Sequence, residues 1–120
     1  MPDRRLLVVD DDDAIRAVLC EAFADEGYEV RQAAHGRAAL DVLASWTPTA
    51  IILDLMMPIM DGWEFREEQR ALNVALDVPI VVLSASRQLM GADGLEPAAM
   101  VAKPFELDRL IGTIDGLHAS

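Results

Sequence analysis

The chain has 120 residues, a length that fits one domain, and 52% of them are hydrophobic, so it can bury a core without disulfides. A single cysteine, Cys20, excludes an intramolecular disulfide and any metal site built from several cysteines. Ten basic residues against 21 acidic give a net charge of −11, which argues against binding to nucleic acid or to an anionic membrane surface. The sequence shows neither a signal-peptide core nor an apolar stretch near the ~20 residues of a membrane span, which predicts a cytoplasmic protein.

Short aliphatic runs alternate with helix-like segments along the whole chain. Aliphatic runs without polar alternation are typical of strands that are buried on both faces. The predicted strands are Leu6–Val9, Tyr28–Ala33, Ala50–Leu53, Pro79–Leu83 and Met100–Ala102. The predicted helices are Asp13–Glu26, Arg37–Trp46, Asp61–Leu72 and Glu106–Leu117.

This alternation predicts one α/β domain over residues 1–120, with a parallel sheet covered by helices on both faces. The segment from Arg87 to Pro97 is harder to interpret, because Gly91, Gly94 and Pro97 disfavour a long helix. The helix between strands 4 and 5 is therefore expected to be short or irregular.

The strand ends carry the chemistry of this sequence, because ligands of open parallel sheets bind at the carboxyl ends of the strands. Strand 1 ends in the run Asp10–Asp13, strand 3 in Asp54, strand 4 in Ser84 and strand 5 in Lys103, the only lysine. Crowded carboxylates raise one another's pKa unless a cation lies among them, and carboxylates with water suit Mg²⁺. We therefore expect a Mg²⁺ site here, which Mn²⁺ could also fill, with Asp12 or Asp13 capping the first helix instead.

Asp54 directly follows a buried run, and Pro58, Asp61 and Gly62 make the next helix begin too late for Asp54 to cap it. A carboxylate beside Mg²⁺ can attack a phosphoryl group and form an aspartyl phosphate, whose charge a nearby lysine would neutralise. Ser84 could cap a turn or donate its hydroxyl to a phosphoryl oxygen.

The same residues form four motifs in order along the chain. They are Leu6-Leu7-Val8-Val9-Asp10-Asp11-Asp12, then Ile52-Leu53-Asp54-Leu55-Met56-Met57-Pro58 with Met60-Asp61-Gly62, then Ser84-Ala85, then Lys103-Pro104-Phe105. Together they resemble the receiver domains of bacterial response regulators, and the resemblance covers essentially the whole chain.

This resemblance implies a flavodoxin-like three-layer fold with five parallel strands in the order 2-1-3-4-5. It implies that a histidine kinase or phosphotransfer protein phosphorylates Asp54. Asp11 and Asp54 would bind Mg²⁺ with the backbone carbonyl of Met56, and Asp10 would assist, often through water. Lys103, whose peptide bond to Pro104 is commonly cis in such domains, would pair with the phosphoryl group.

The resemblance also implies how a signal leaves the site. Ser84, at the phosphoryl-binding position that it shares with Ala85, would turn to the phosphoryl group. Ser84 and Lys103 would then relay the change to the face formed by helix 4, strand 5 and helix 5. That face is the implied surface for homodimerisation and for a downstream effector that the sequence does not identify. The chain would be a signalling phosphoacceptor and not an enzyme, beyond assisting its own phosphorylation and slow autodephosphorylation.

Two features depart from the family pattern. Met100 stands three residues before Lys103, where relatives usually carry an aromatic residue or histidine that turns inward on activation. The stretch from Ser84 to Lys103 is also shorter than usual by about one helical turn.

Two rival functions remain. A phosphatase of the haloacid-dehalogenase type would need an acid–base aspartate two residues after its nucleophile, and Met56 occupies that position. A receiver-like interaction module that does not switch by phosphorylation is the other alternative, and Mg²⁺-dependent phosphorylation would discriminate it from a switching receiver domain.

Overall fold

The structure is a computed structural model that describes residues 4–85 and 92–118. Its five strands are β1 (Arg5–Val9), β2 (Glu29–Ala33), β3 (Ala50–Leu53), β4 (Ile80–Ala85) and β5 (Ala99–Lys103). Its α-helices are α1 (Asp13–Asp25), α2 (Gly36–Leu43), α3 (Gly62–Leu72) and α4 (Leu107–His118), with one 3₁₀ turn over Ala92–Leu95. Helix α4 is the C-terminal helix, which is helix 5 in the order expected from the sequence.

The strands form one parallel sheet in the order β2-β1-β3-β4-β5, which confirms the predicted flavodoxin-like topology. Successive residues of a strand point to opposite faces, so the continuous aliphatic runs supply both hydrophobic cores. Leu7 of β1 and Ile51 of β3 pack in the core that contains buried residues of α2 and α3. Leu6 of β1 and Ile52 of β3 pack in the core that contains buried residues of α1 and α4.

Local side-chain chemistry fixes where the helices begin. Asp12 is the N-cap of α1, because its carboxylate accepts hydrogen bonds from the amides of Ala14 and Ile15. Asp61 is the N-cap of α3, in a capping box with Glu64, and this leaves Asp54 outside the helix as predicted.

Most element boundaries differ from the predictions by only a few residues. Strand β4 extends two residues further than predicted, so Ser84 lies within the strand. Helix α2 ends at Leu43 and not at Trp46; beyond it the last turn tightens, because the amides of Ser45 and Trp46 share the carbonyl of Val42, and Pro48 follows two residues later. The prediction of a short or irregular fourth helix lies partly outside the described residues; within them, the 3₁₀ turn over Ala92–Leu95 precedes β5.

Candidate functional site

The predicted strand-end residues meet at the carboxyl edge of the sheet. Asp10 follows β1, Asp54 follows β3, Ser84 lies near the end of β4, and Lys103 is the last residue of β5. Strands β1, β3, β4 and β5 are consecutive neighbours in the sheet, so residues far apart in sequence converge there. Asp10, Asp54 and Ser84 are almost entirely buried, with relative exposures of 1%, 5% and 1%.

Asp10 is held in place by the first turn of α1. Its Oδ1 accepts a hydrogen bond from the amide of Asp12 at 2.9 Å. Its backbone carbonyl accepts one from Arg16 Nη1 at 2.8 Å, and Arg16 also pairs with Asp13 at 2.6 Å. Arg16 is not among the site residues predicted from the sequence, although its position one turn into a helix that follows an acidic run is a signal for such a contact.

Asp54 carries a carboxylate in an environment that disfavours its charge. Burial raises the pKa of Asp54, the neighbouring charge of Asp10 raises it further, and Lys103 and Ser84 oppose the shift only in part. Ser84 Oγ donates to Asp54 Oδ1 at 3.1 Å, and Lys103 Nζ lies 3.4 Å from Asp54 Oδ2. A further cation beside Asp54 would therefore stabilise the charged form of its carboxylate.

Lys103 provides the positive charge of the site. Its Nζ lies 3.0 Å from Asp10 Oδ2, closer than to Asp54. Burial alone would lower the pKa of Lys103, but the hydrogen bond to Asp10 and the charges of Asp54 and Asp10 outweigh it, so the pKa is raised. The peptide bond from Lys103 to Pro104 is cis.

The donor set of the site fits a hard divalent cation. One carboxylate oxygen from each of Asp10, Asp11 and Asp54 lies within 4.8 Å of the other two. Asp11 is exposed, whereas Asp10 and Asp54 are buried, so the cluster opens to solvent on one side. Carboxylate oxygens with an open side for water are the ligands that Mg²⁺ prefers.

The other predicted site residues lie on the loop after β3 and on strands β4 and β5. Met56, two residues after Asp54, has a side chain that is 53% exposed. Ala85 is exposed and is the register partner of Lys103. Met100, the register partner of Val82, is 44% exposed and lines a cavity of about 400 Å³ between β5 and α4.

A close glycine contact supports the loop that carries Asp54. The amide of Gly62 donates to the carbonyl of Leu55 at 2.8 Å. A Cβ at Gly62 would lie 3.0 Å from the carbonyl oxygen of Asp54 and 2.8 Å from the Leu55 side chain. Any larger residue at position 62 would therefore push the start of α3 away from the site.

Comparison with known proteins gives a consistent result. A family model described as the response regulator receiver domain matches residues 6–115. The response regulators MprA of Mycolicibacterium vanbaalenii and Mycobacterium tuberculosis are each 40% identical over 116 residues, which is 94% of this chain. The chain spans about half the length of these curated relatives (49% and 50%).

Solved structures show the same fold. The chemotaxis response regulator CheY4 of Vibrio cholerae superimposes with a TM-score of 0.87 at 29% identity, covering 97% of this chain and 99% of that one. The response regulator TrrA of Thermotoga maritima, solved in complex with Mg²⁺–BeF, gives a TM-score of 0.83 at 33% identity, covering 95% and 98%. Within residues 4–85 and 92–118, no helix is both long and apolar enough to cross a membrane.

Proposed function

The chain belongs to the family of response regulator receiver domains, and from this premise we propose that Asp54 accepts a phosphoryl group in a Mg²⁺-dependent reaction. The observation that carries the proposal is the surroundings of Asp54. Its buried carboxylate contacts Ser84 at 3.1 Å and Lys103 at 3.4 Å, and it clusters with Asp10 and Asp11.

The phosphoryl donor is a phosphohistidine on a histidine kinase or phosphotransfer protein. A carboxylate oxygen of Asp54 attacks the phosphorus, a P–O bond forms, and the P–N bond breaks with its electron pair returning to the imidazole nitrogen. Mg²⁺ held by Asp10, Asp11, Asp54 and the carbonyl of Met56 would neutralise negative charge on the phosphoryl oxygens. Mn²⁺, which takes the same oxygen ligands, could replace it.

Lys103 and Ser84 respond to the new group. A phosphoryl group on Asp54 carries about −1.5 to −2 charges at neutral pH. Lys103, which now pairs chiefly with Asp10, gains a stronger partner in the phosphoryl oxygens, and the Ser84 hydroxyl transfers its hydrogen bond from Asp54 Oδ1 to one of them. Slow hydrolysis of the adduct by water returns Asp54 to its unphosphorylated state, and this step uses no separate catalytic acid.

The output of the switch is the face around β5. Lys103 and Met100 share this strand, so a shift of Lys103 toward the phosphoryl group changes the strand that lines the cavity next to α4. We assign this face to a downstream effector or to a second copy of the chain. Met100 is apolar and already exposed, so the change is one of strand position and not of an aromatic rotamer.

Intact mass after incubation with acetyl phosphate, with and without Mg²⁺, tests the proposal. We expect one phosphoryl adduct that requires Mg²⁺ and is absent from Asp54→Asn. Asp41→Asn, which changes an exposed carboxylate on α2, is the matched control and should be phosphorylated like the parent chain. Folded protein that gives no adduct, and no response to beryllofluoride with Mg²⁺, would favour a phosphorylation-independent interaction module.

A further inference from the structure

The guanidinium of Arg16 joins helix α1 to the residues at the ends of two strands. Its Nη1 donates to the backbone carbonyl of Asp10 at 2.8 Å, its Nε to Gln32 Oε1 of β2 at 3.0 Å, and its Nη2 to Asp13 Oδ1 at 2.6 Å. The Arg16 side chain is only 15% exposed. Because the guanidinium is planar and rigid, three such contacts together fix its position and its orientation.

The contact with Asp10 restrains the peptide unit that leads to Asp11. This unit is trans, and a trans peptide is planar from one Cα to the next. A hydrogen bond to the carbonyl of Asp10 therefore limits the rotation of the plane that also carries the amide and the Cα of Asp11. The amide of Asp10 is itself bonded to the carbonyl of Ala33 at 3.1 Å, so the backbone is held on both sides of Asp10.

Asp11 depends on this backbone restraint more than the other two clustered carboxylates do. Asp10 and Asp54 both pair with Lys103, at 3.0 and 3.4 Å. The carboxylate of Asp11 has no hydrogen-bond or ion-pair partner in the part of the chain that the structure describes. Its oxygen nevertheless lies within 4.8 Å of an oxygen from each of the other two. The backbone at Asp11 thus decides whether its carboxylate faces the cluster.

We propose that Arg16 is a positioning residue for Mg²⁺, because it holds the peptide between Asp10 and Asp11 so that the Asp11 carboxylate faces the cation. This inference rests on the proposed function, which places Mg²⁺ among Asp10, Asp11 and Asp54. Groups that orient metal ligands commonly change the affinity for the metal by about 10–100-fold.

Arg16 has two effects on a bound cation, and they have opposite signs. Its positive charge repels Mg²⁺ by Coulomb's law, so the charge alone predicts tighter binding when Arg16 is removed. The orientation of Asp11 predicts weaker binding when Arg16 is removed. The Asp13 carboxylate, at 2.6 Å, offsets much of the Arg16 charge, so the orientation of Asp11 outweighs the remaining repulsion.

Calorimetric titration of Mg²⁺ into metal-free protein separates the two effects. We expect Arg16→Met to raise the dissociation constant for Mg²⁺ about tenfold. Gln32→Ala removes the acceptor of Arg16 Nε without changing any charge, and should raise the dissociation constant roughly threefold. With acetyl phosphate, Arg16→Met should need about tenfold more Mg²⁺ for its half-maximal rate, whereas its rate at saturating Mg²⁺ should fall far less.

Arg4→Met is the matched control, because it removes the same charge and also breaks a contact with a carboxylate. Arg4 pairs with Asp115 before the start of β1, roughly 20 Å along the strand from Asp10. Salt screens charges beyond about 10 Å, so Arg4→Met should bind Mg²⁺ like the parent chain.

A dissociation constant of folded Arg16→Met that equals the parental value, or is lower, would overturn the inference. So would a maximal rate that falls as much as the affinity, because Arg16 would then support the fold and not the cation. If circular dichroism shows that Arg16→Met does not fold, Gln32→Ala decides, and an unchanged dissociation constant there overturns the inference. Failure of the parent chain to bind Mg²⁺ would instead contradict the proposed function, so the two failures are distinguishable.

Discussion

Polar networks of opposite character lie at the two ends of the parallel strands, which we call the carboxyl edge and the amino edge of the sheet. At the carboxyl edge, the carboxylates of Asp10, Asp11 and Asp54 cluster, Lys103 pairs with Asp10 and Asp54, and burial raises the pKa of Asp54. At the amino edge, donors and acceptors are matched. There the Tyr28 hydroxyl donates to Asp115 at 2.7 Å, Arg4 pairs with Asp115 at 3.2 Å, and His118 Nε2 contacts Thr49 Oγ1 at 2.7 Å.

The carboxyl-edge cluster therefore lowers the stability of the fold, whereas the amino-edge contacts raise it. We call the residues Arg4, Tyr28, Thr49, Asp115 and His118 the amino-edge network. It joins α4 to the start of the sheet, and burial together with the Asp115 hydrogen bond raises the pKa of Tyr28, which keeps the phenol protonated. The carboxylates of the carboxyl-edge cluster carry more negative charge than Lys103 balances, as expected for a site that binds a further cation.

The largest effect is expected from removing the charge that holds the carboxyl edge together. Lys103→Met leaves Asp10 and Asp54 buried without their cation and should lower the free energy of unfolding in Mg²⁺-free buffer by about 2–3 kcal/mol, less than for a fully buried pair because Lys103 is partly exposed. Arg4→Met at the amino edge breaks a half-exposed pair and should cost about 1 kcal/mol or less. Chemical denaturation measures both; equal losses would contradict the contrast.

Mg²⁺ should stabilise the chain through the carboxyl edge alone. Binding to the folded state raises the free energy of unfolding by about 2.7 kcal/mol at roughly 100 times the dissociation constant. A thermal melt across a Mg²⁺ series should show this rise in the parent chain and lose most of it in Asp11→Asn. Asp115→Asn is the control, and a Mg²⁺ response that survives in Asp11→Asn would place the cation elsewhere.

The same substitution should have opposite signs at the two edges. In Mg²⁺-free buffer at neutral pH, Asp54→Asn should stabilise the fold by roughly 1 kcal/mol, because it removes a buried carboxylate beside Asp10. Asp115→Asn should destabilise it by a similar amount, because Tyr28 and Arg4 lose a charged partner.

The stabilisation by Asp54→Asn should depend on pH in a defined direction. Because the folded-state pKa of Asp54 is raised, protonation favours folding, and the cost of its carboxylate appears as the pH rises through that pKa. The gain in the variant should therefore be greatest at neutral pH and shrink as the pH falls toward 3.8, the ordinary value for aspartate. A gain that grows on acidification would contradict the assigned direction.

An effect no larger than that of Asp115→Asn is expected from Tyr28→Phe, which removes one hydroxyl from the amino-edge network. The loss of its hydrogen bond to Asp115 should cost about 1 kcal/mol in urea denaturation. Its phosphorylation by acetyl phosphate should equal that of the parent chain. A slower reaction in this variant would show that the two edges are coupled.

The residues of the carboxyl edge can be predicted from the sequence better than those of the amino edge, and the reason is physical. Strands β1 and β3 are aliphatic runs that end in aspartate, so pattern and charge together place Asp10 and Asp54. The contact between Tyr28 and Asp115 joins residues 87 positions apart through side chains that follow no period. Only the assembled sheet brings them together.

The same limit applies to Ile59 and Trp46. Ile59 has a left-handed backbone, with a φ of 68°, next to Met60, whose carbonyl accepts a hydrogen bond from Gly36 on α2; proline and glycine signals nearby do not reveal this conformation. Trp46 continues the helical period of α2, yet it leaves the helix and lies under Arg31, at 4.8 Å from the guanidinium carbon to the ring centroid. Tertiary packing decides both positions.

The central claim is that Asp54, among the carboxylates clustered at the carboxyl edge, is the phosphoacceptor. Borohydride reduction converts an aspartyl phosphate to homoserine, so treatment with acetyl phosphate and Mg²⁺, followed by reduction and peptide mapping by tandem mass spectrometry, identifies the residue directly. We predict homoserine at position 54 alone, and none when Mg²⁺ is omitted. Homoserine at position 10 or 11, or none at all in folded protein, would contradict the account.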